Sequence, residues 1–232
     1  MIDLSFKTMR FNADGKTLLG PVNLDISLKS ITCIMGYNGA GKSLFLELCH
    51  GMLEPTKGHV QWNRKSALKT RQDRGFIFQH RIVLRRSVRQ NIALPMQAAG
   101  WSRSQIDTRL IELLDMARLT PKADEPAAVL SGGEVQRMAL VRALATRPDV
   151  VIMDEPTSSL DPGATTKFEN LIESVAKTGV KFLWATHNIT QAQRFASDVI
   201  FINDGTVAEH GSAEDFFAAP ASQMAQQYVK GH

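Results

Sequence analysis

The 232-residue sequence has few cysteines, few aromatic residues and no long apolar segment. Its two cysteines, Cys33 and Cys49, lie in a predicted core strand and a predicted helix, where small buried hydrophobic side chains are expected, so we predict no disulfide. No apolar stretch approaches the ~20 residues that a membrane-spanning helix needs, and the N-terminus lacks the charged-then-apolar layout of a signal peptide. We therefore expect a cytoplasmic protein of one large domain, or one domain with an inserted subdomain.

The chain also lacks a strong charge of either sign, since its formal net charge is +4 and its isoelectric point about 9.2. An apolar content of 44% with 22% charged residues is typical of a soluble globular protein. A basic balance of this size permits a nucleic-acid partner but does not require one. The clearest basic cluster, residues 81–89, is open to three interpretations: a solvated face, a surface for a partner protein, or a surface for lipid headgroups.

A glycine-rich stretch at residues 36–43 carries the clearest chemical signal. It reads GYNGAGKS, matches the P-loop pattern G-x-x-x-x-G-K-[ST], and stands between a predicted strand at residues 31–35 and a predicted helix at residues 44–48. The backbone N–H groups of such a loop attract a polyphosphate, Lys42 reaches its terminal phosphates, and Ser43 binds Mg²⁺. The alternative is a glycine-rich turn with no ligand. The predicted nucleotide-binding residues of this stretch are Gly36, Asn38, Gly39, Ala40, Gly41, Lys42, Ser43 and Leu44.

Two adjacent acids, Asp154 and Glu155, follow an apolar strand predicted at residues 150–153. Ligands of open α/β sheets bind at the carboxyl ends of the strands. We expect Asp154 to hold a magnesium ion, directly or through water, and Glu155 to face the attacking water as general base. The alternative is that one carboxylate only caps the turn before Pro156. Adjacent acids repel each other, which favours the interpretation with a cation.

The segment LSGGEVQR at residues 130–137 combines a helix cap with two glycines. Ser131 and Glu134 have the spacing of a capping box, which is a sufficient structural explanation for those two residues. Gly132 and Gly133 are not explained by a cap, because glycine at a helix start forgoes about 1 kcal/mol of helix propensity relative to alanine. We therefore predict that a ligand approaches the backbone here, as at a second phosphate-binding helix terminus.

With these motifs in this order, the sequence resembles the nucleotide-binding subunit of an ATP-binding cassette (ABC) transporter over essentially its whole length. LSGGEVQR is the motif specific to that family. The resemblance implies ATP and Mg²⁺ as cofactors. It also implies a head-to-tail homodimer, in which Ser131, Gly132 and Gly133 bind the γ-phosphate of ATP held by the P-loop of the other subunit.

Further residues match family positions one at a time, and their roles are implied by the resemblance alone. Gln79 would touch magnesium and the attacking water and link the core to a helical insert. Asp161 lies in the segment that communicates across the dimer, and His187 would contact the γ-phosphate. Phe11 would stack on adenine. The chain departs from the family at Tyr37, where proline or serine is usual.

The predicted fold class is α/β: a P-loop NTPase core with a mixed parallel sheet, an N-terminal antiparallel β subdomain and an inserted helical subdomain. Local patterns predict a hairpin turn at Asp14 and Gly15, a turn at Pro55 and Gly58, and a helical tail at residues 213–229. The segment from residue 83 to residue 128 is predicted to be mainly helical. The predicted single ABC ATPase domain comprises residues 1–30 and 58–78 with the β subdomain, 31–57 and 149–232 in the P-loop core, and 80–147 in the helical insert with the signature motif.

The resulting hypothesis is an ATPase that energises solute import by a multi-subunit ABC transporter. It implies separate transmembrane permease subunits, an indirect link to a substrate-binding protein, a peripheral place on the cytoplasmic face of the inner membrane, and no direct contact with nucleic acid. Residues 79–88 and 216–220 look most like tungstate importer cassettes. Phosphate, molybdate or amino acids remain alternative solutes. Rival hypotheses are a cassette ATPase acting on DNA or ribosomes and a P-loop kinase or GTPase.

Overall fold

The computed structural model describes residues 2–231. Within them, contacts group the chain into two compact units. The first unit takes in the chain up to Gln72, Ile152–Glu155, and the chain from Lys181 onwards, and the second takes in Asp73–Val151 and Pro156–Val180. In the part of the chain that is described, no helix has the length and apolar character needed to cross a bilayer.

The secondary structure alternates strands and helices in the order expected for an α/β protein. The strands are β1 Asp3–Ala13, β2 Lys16–Ser27, β3 Ile31–Met35, β4 Lys57–Trp62, β5 Lys65–Ser66, β6 Arg74–Ile77, β7 Val150–Asp154, β8 Lys181–Ala185, β9 Asp198–Asn203 and β10 Thr206–Ser212. The helices are α1 Lys42–His50, α2 Val88–Ala98, α3 Arg103–Met116, α4 Gly132–Ala143, α5 Pro162–Ala176, α6 Ile189–Phe195, α7 Ala213–Ala218 and α8 Gln223–Lys230.

The first unit contains two sheets. One is antiparallel with the order β2-β1-β4-β5, which confirms the antiparallel N-terminal β subdomain. The other contains β10-β9-β3-β8 and the end of β7, and its β3 is parallel to both β8 and β9. All five residues of β3 are buried, as expected for a strand covered on both faces. The antiparallel sheet packs on α1 through Phe6 and Phe45, whose ring centroids are 5.0 Å apart.

In the second unit, helices α2, α3 and α4 all begin in the same way. The side chains of Ser87, Ser102 and Ser131 accept a hydrogen bond from the backbone three residues on, and the Gln or Glu there reaches back, so all three are capping boxes. The apolar residues that recur at helical spacing along α3 are buried: Ile106, Leu110, Leu113 and Leu114. Cys33 and Cys49, which lie in the first unit, are both buried, as expected.

The structure corrects three local predictions. Residues 83–87 are not helical, because the buried Asn91 side chain bonds the backbone of Leu84, Arg86 and Ser87 and replaces their helical partners. The tail forms two helices, α7 and α8, since Pro220 cannot continue the first. Gly58 lies inside β4 with φ 74°, where an added Cβ would collide with the carbonyl oxygen of Lys7.

Candidate functional site

The P-loop of the first unit leaves β3 through Gly36 and enters α1 through Gly41. Gly36 has φ 149° and lies against β9, so an added Cβ would collide with the carbonyl oxygen of Ile202. Gly41 is the N-cap of α1 and adopts the left-handed conformation at φ 103°. Only glycine enters both positions without strain, which explains the sequence spacing of the motif.

The amino terminus of α1 differs from those of the other helices. Among residues 2–231, the seven helices α2 to α8 each begin with a side-chain oxygen that accepts a backbone N–H. At α1, Gly41 provides no such cap. The first N–H groups of α1 therefore have no side-chain acceptor and point where an anion such as a phosphate binds.

A cluster of charged groups lies beside this terminus. The Lys42 ammonium is buried, donates to the carbonyl oxygens of Gly36 at 3.0 Å and Tyr37 at 3.1 Å, and lies 3.5 Å from Glu155 Oε1. His187 Nδ1 lies 3.1 Å from Glu155 Oε2, and half of the His187 side chain is exposed. The structure thus brings together Lys42, Glu155 and His187, three of the residues predicted from the sequence.

The backbone at Glu155 is unusual. Glu155 has φ 42°, a region that a residue with a Cβ seldom adopts, and its N–H donates to the carbonyl oxygen of Ala185 at the end of β8 at 3.0 Å. Such a conformation costs about 1 to 3 kcal/mol and persists where the surrounding structure holds it. Here it places the carboxylate between Lys42 and His187, which the sequence did not predict.

Ser43 and Asp154, the two residues of the first unit that the sequence predicted as magnesium ligands, both carry oxygen atoms that could hold the ion. Ser43 is exposed in the first turn of α1, and Asp154 is buried at the end of β7. Burial, together with the charge of Asp154, raises the pKa of Glu47. In the described residues, no three His, Cys, Asp or Glu side chains form a metal cluster. This sparse oxygen set fits Mg²⁺, which is usually bound through one or two protein groups plus phosphates and waters.

Phe11 lies on β1, half-exposed and paired with Leu19 of β2. The side chain of Leu19 is the nearest neighbour of a Cβ built on Gly41, at 3.2 Å. The pairing of β1 with β2 shifts register on both sides of Phe11.

In the second unit, Ser131 is exposed at the start of α4. Its backbone N–H and its hydroxyl both donate to Glu134 Oε2, at 2.9 and 2.8 Å, and Lys122 lies 2.7 Å from the other carboxylate oxygen. Lys122 above all, with the Ser131 donors, lowers the pKa of Glu134 to about 2. The hydroxyl of Ser131 must therefore leave Glu134 in order to donate to a phosphate.

The two signature glycines have close neighbours of their own. A Cβ on Gly133 would lie 2.8 Å from the Cβ of Ala164 in α5, and a Cβ on Gly132 would collide with the guanidinium of Arg81. Helix packing therefore explains Gly133 within one chain, a reason that the sequence did not reveal. Because Gly132 has no side chain, the guanidinium of Arg81 fits beside the start of α4.

Arg81 also links the segment after β6 to the segment before α5. Its Nη2 donates to the backbone and side-chain oxygens of Ser159, both at 2.6 Å. Asp161, two residues on, is the N-cap of α5 and accepts from the Ala164 N–H at 2.8 Å. Gln79 is exposed just after β6, which ends at Ile77. No sequence signal marked Arg81, because it stands in a general basic cluster.

Comparison with known proteins identifies the class of molecule that these features define. The sequence profile of the family described as ABC transporter matches residues 19–158, and the chain belongs to this family. It therefore carries an ABC ATPase domain, which binds ATP with Mg²⁺, as the resemblance implied.

Relatives with curated names come from several bacteria. Methionine import ATP-binding protein MetN of Bradyrhizobium diazoefficiens is 37% identical over 225 residues, which cover 93% of this chain and 65% of that protein. MetN of Histophilus somni is 34% identical over 241 residues, which cover 99% of this chain and 70% of that protein. The chain thus spans about two thirds of the length of these relatives.

Solved structures confirm the predicted fold class. CbiO1 from Clostridium perfringens, part of the ABC transporter complex CbiONQ, has a TM-score of 0.84 at 27% identity and covers 93% of this chain and 90% of its own. The ATP-binding cassette MJ0796, a dimer in a post-hydrolysis state bound to ADP and Pi, has a TM-score of 0.78 at 27% identity, over 90% and 98% of the two chains.

Proposed function

We propose that this chain is the ATP-hydrolysing subunit of a multi-subunit importer. The observation that carries the proposal is the helix terminus of α1, which lacks a side-chain cap and adjoins a buried lysine 3.5 Å from a carboxylate. An anion there meets backbone donors and a cation, and the carboxylate beyond them can accept a proton from water.

Within the first unit, we assign one role to each group. Lys42 and the loop N–H groups hold the phosphates, and Glu155 accepts the proton of the attacking water. With both ring nitrogens protonated, His187 donates through Nδ1 to Glu155, which orients that carboxylate, and through Nε2 toward the transferred phosphoryl group. Ser43 and Asp154 hold Mg²⁺, and Phe11 stacks on the base. Bound Mg²⁺ neutralises charge on the phosphates.

The exposed start of α4 suggests that a second copy of the chain completes the site. Ser131, Gly132 and Gly133 would donate to the γ-phosphate of the partner's ATP, and Asp161 would lie at the same interface. The dimeric form of the MJ0796 cassette, which binds ADP and Pi, supports this arrangement. The expected assembly is a C2 homodimer with ATP at the interface.

Transmembrane permease subunits complete the proposed importer. The relatives are named for import, and CbiO1 is part of a transporter complex. We place the chain at the cytoplasmic face of the inner membrane, with an indirect link to a substrate-binding protein. Capture of a tagged chain from detergent-solubilised membranes should recover integral membrane subunits. Recovery with ribosomes or nucleic acid alone would contradict the proposal.

The identity of the transported solute is the most specific part of the proposal. The resemblance of residues 79–88 and 216–220 favours an oxyanion such as tungstate, whereas the relatives are named for methionine and give tungstate no support. Uptake of labelled tungstate and labelled methionine should be compared between cells with the parent chain and cells with Glu155→Gln. Loss of tungstate uptake supports the oxyanion, and loss of methionine uptake alone replaces it with the amino acid.

A further inference from the structure

The last described helix, α8, reaches the nucleotide site of the same unit through one side chain. Tyr228 is 1% exposed. Its ring makes an edge contact with Tyr37 of the P-loop at a centroid distance of 5.0 Å and packs on Phe201 of β9 at 5.1 Å. The buried ring of Tyr228 thus connects helix α8 to Tyr37, the first variable residue of the P-loop motif.

Tyr228 contacts two segments of the site at once, because its ring packs on Tyr37 and its hydroxyl donates to the backbone carbonyl oxygen of His187 at 3.3 Å. Burial is the main effect on this hydroxyl and raises the pKa of Tyr228 to about 12, although the backbone of Gly36 favours the ionised form. The hydroxyl therefore stays protonated at neutral pH and keeps its donor for His187.

The start of α8 is fixed independently of Tyr228. The carboxylate of Glu209 on β10 accepts the backbone N–H groups of Ala221 and Ser222, both at 2.9 Å. Ser222 then caps the helix by accepting the N–H of Ala225 at 3.1 Å. With one end of α8 held on β10, the position of Tyr228 at the other end is determined by the sheet rather than by the loops that it touches.

We propose that Tyr228 is a positioning residue that holds the P-loop at Tyr37 and the backbone of His187 at a fixed spacing. The inference rests on the proposed ATPase function, because the two segments matter together only if both act on one nucleotide. Its consequence is that docking of α8 sets both the affinity of the P-loop for ATP and the placement of His187 for hydrolysis.

A role in packing alone predicts a different outcome from a role in positioning. Loss of folded protein lowers the turnover per chain but leaves the KM of the folded fraction unchanged. Loss of a fixed spacing changes KM through the P-loop and kcat through His187 while the protein stays folded. Tyr228→Phe separates the two, since it keeps the ring contacts with Tyr37 and Phe201 and removes only the hydroxyl.

The kinetic test compares Tyr228→Phe with Met224→Ala, a change at an exposed residue of the same helix. We expect Tyr228→Phe to raise the KM for ATP about threefold and to lower kcat about fivefold, the order expected for one hydrogen bond. Met224→Ala should keep both parental values. Parental kcat and KM in Tyr228→Phe overturn the proposal, as does a fall in kcat at unchanged KM that follows the unfolded fraction.

A second readout needs no nucleotide and therefore does not depend on ATPase activity. Amide hydrogen exchange of residues 187–189 in the nucleotide-free protein should become about fivefold faster in Tyr228→Phe, because the hydroxyl that binds the His187 carbonyl is gone. Unchanged exchange at residues 187–189 overturns the positioning role even where the parent protein hydrolyses ATP. Faster exchange in Tyr228→Phe, when the parent neither binds nor hydrolyses ATP, keeps the contact and rejects the proposed function.

Discussion

The predicted site residues of the two units differ in burial and in charge. In the first unit, the side chains of Lys42 and Glu155 are 6% and 10% exposed and lie within ion-pair distance. In the second unit, Ser131, Asp161 and Gln79 are exposed. Buried charges are costly unless they are paired, so the first unit holds reactive groups at close quarters. The second unit instead offers hydroxyl and backbone donors on a surface, which is what a partner's nucleotide can reach.

The largest effect should come from the buried cluster of the first unit. Glu155→Gln keeps the size of the side chain but removes the base, so kcat should fall about 10³-fold while ATP still binds. Glu173→Gln on α5, whose carboxylate is exposed and pairs only with Lys177 among the described ion pairs, is the matched control. Steady-state ATP hydrolysis and nucleotide titration measure both effects. Turnover at the parental rate in Glu155→Gln would refute the assigned base.

The next largest effect on ATP hydrolysis is expected at the exposed cap of α4. Ser131→Ala should leave nucleotide binding by the P-loop unchanged and lower kcat about 100-fold, since one donor to the transferred group is lost. Ser102→Ala removes the same kind of capping box at α3, which has no place in the proposed site. Equal ATP turnover in the two variants would mean that Ser131 only caps its helix.

A smaller effect is expected where Arg81 binds the segment before α5. Arg81→Ala removes two hydrogen bonds to Ser159, so amide exchange of residues 157–160 should rise about threefold. Arg103→Ala, an almost fully exposed arginine of α3, provides the control. Unchanged exchange at residues 157–160 would show that the contact does not order this segment.

The smallest effect concerns the charge of Glu134. Its pKa is lowered to about 2, so its stabilisation is present above the ordinary value of 4.5 and is lost as the pH falls through about 2. Glu134→Gln keeps the capping box, as Gln90 and Gln105 do in α2 and α3, and removes only the charge. Urea unfolding should give a loss below about 1 kcal/mol at neutral pH that disappears near pH 2. An equal loss at both pH values would contradict this account.

Local sequence patterns predicted which secondary-structure elements form and which side chains belong to the candidate site. They did not predict which of these side chains are in contact. The P-loop, the acids at the end of β7 and the capping box at Ser131 follow from spacing, because each depends on residues close in the chain. The contacts of Tyr228 with Tyr37 and His187 join segments that are distant in sequence, so no local pattern marks them.

The neighbours of the two glycines of α4 could not be predicted from the sequence either. Their presence indicated a close approach to the backbone, but only the fold reveals Ala164 beside Gly133 and Arg81 beside Gly132. The positive φ of Glu155 was likewise invisible, since a non-glycine residue there is stabilised by surroundings that come from other strands.

In the proposed assembly, a second copy of this chain completes each catalytic centre. Light scattering of Glu155→Gln protein saturated with MgATP tests it most directly, with Ser131→Ala added to the same chain as the control. We expect the mass of two chains for Glu155→Gln, and of one chain when Ser131→Ala is added or ATP is withheld. A mass of one chain for Glu155→Gln at saturating MgATP would contradict the account.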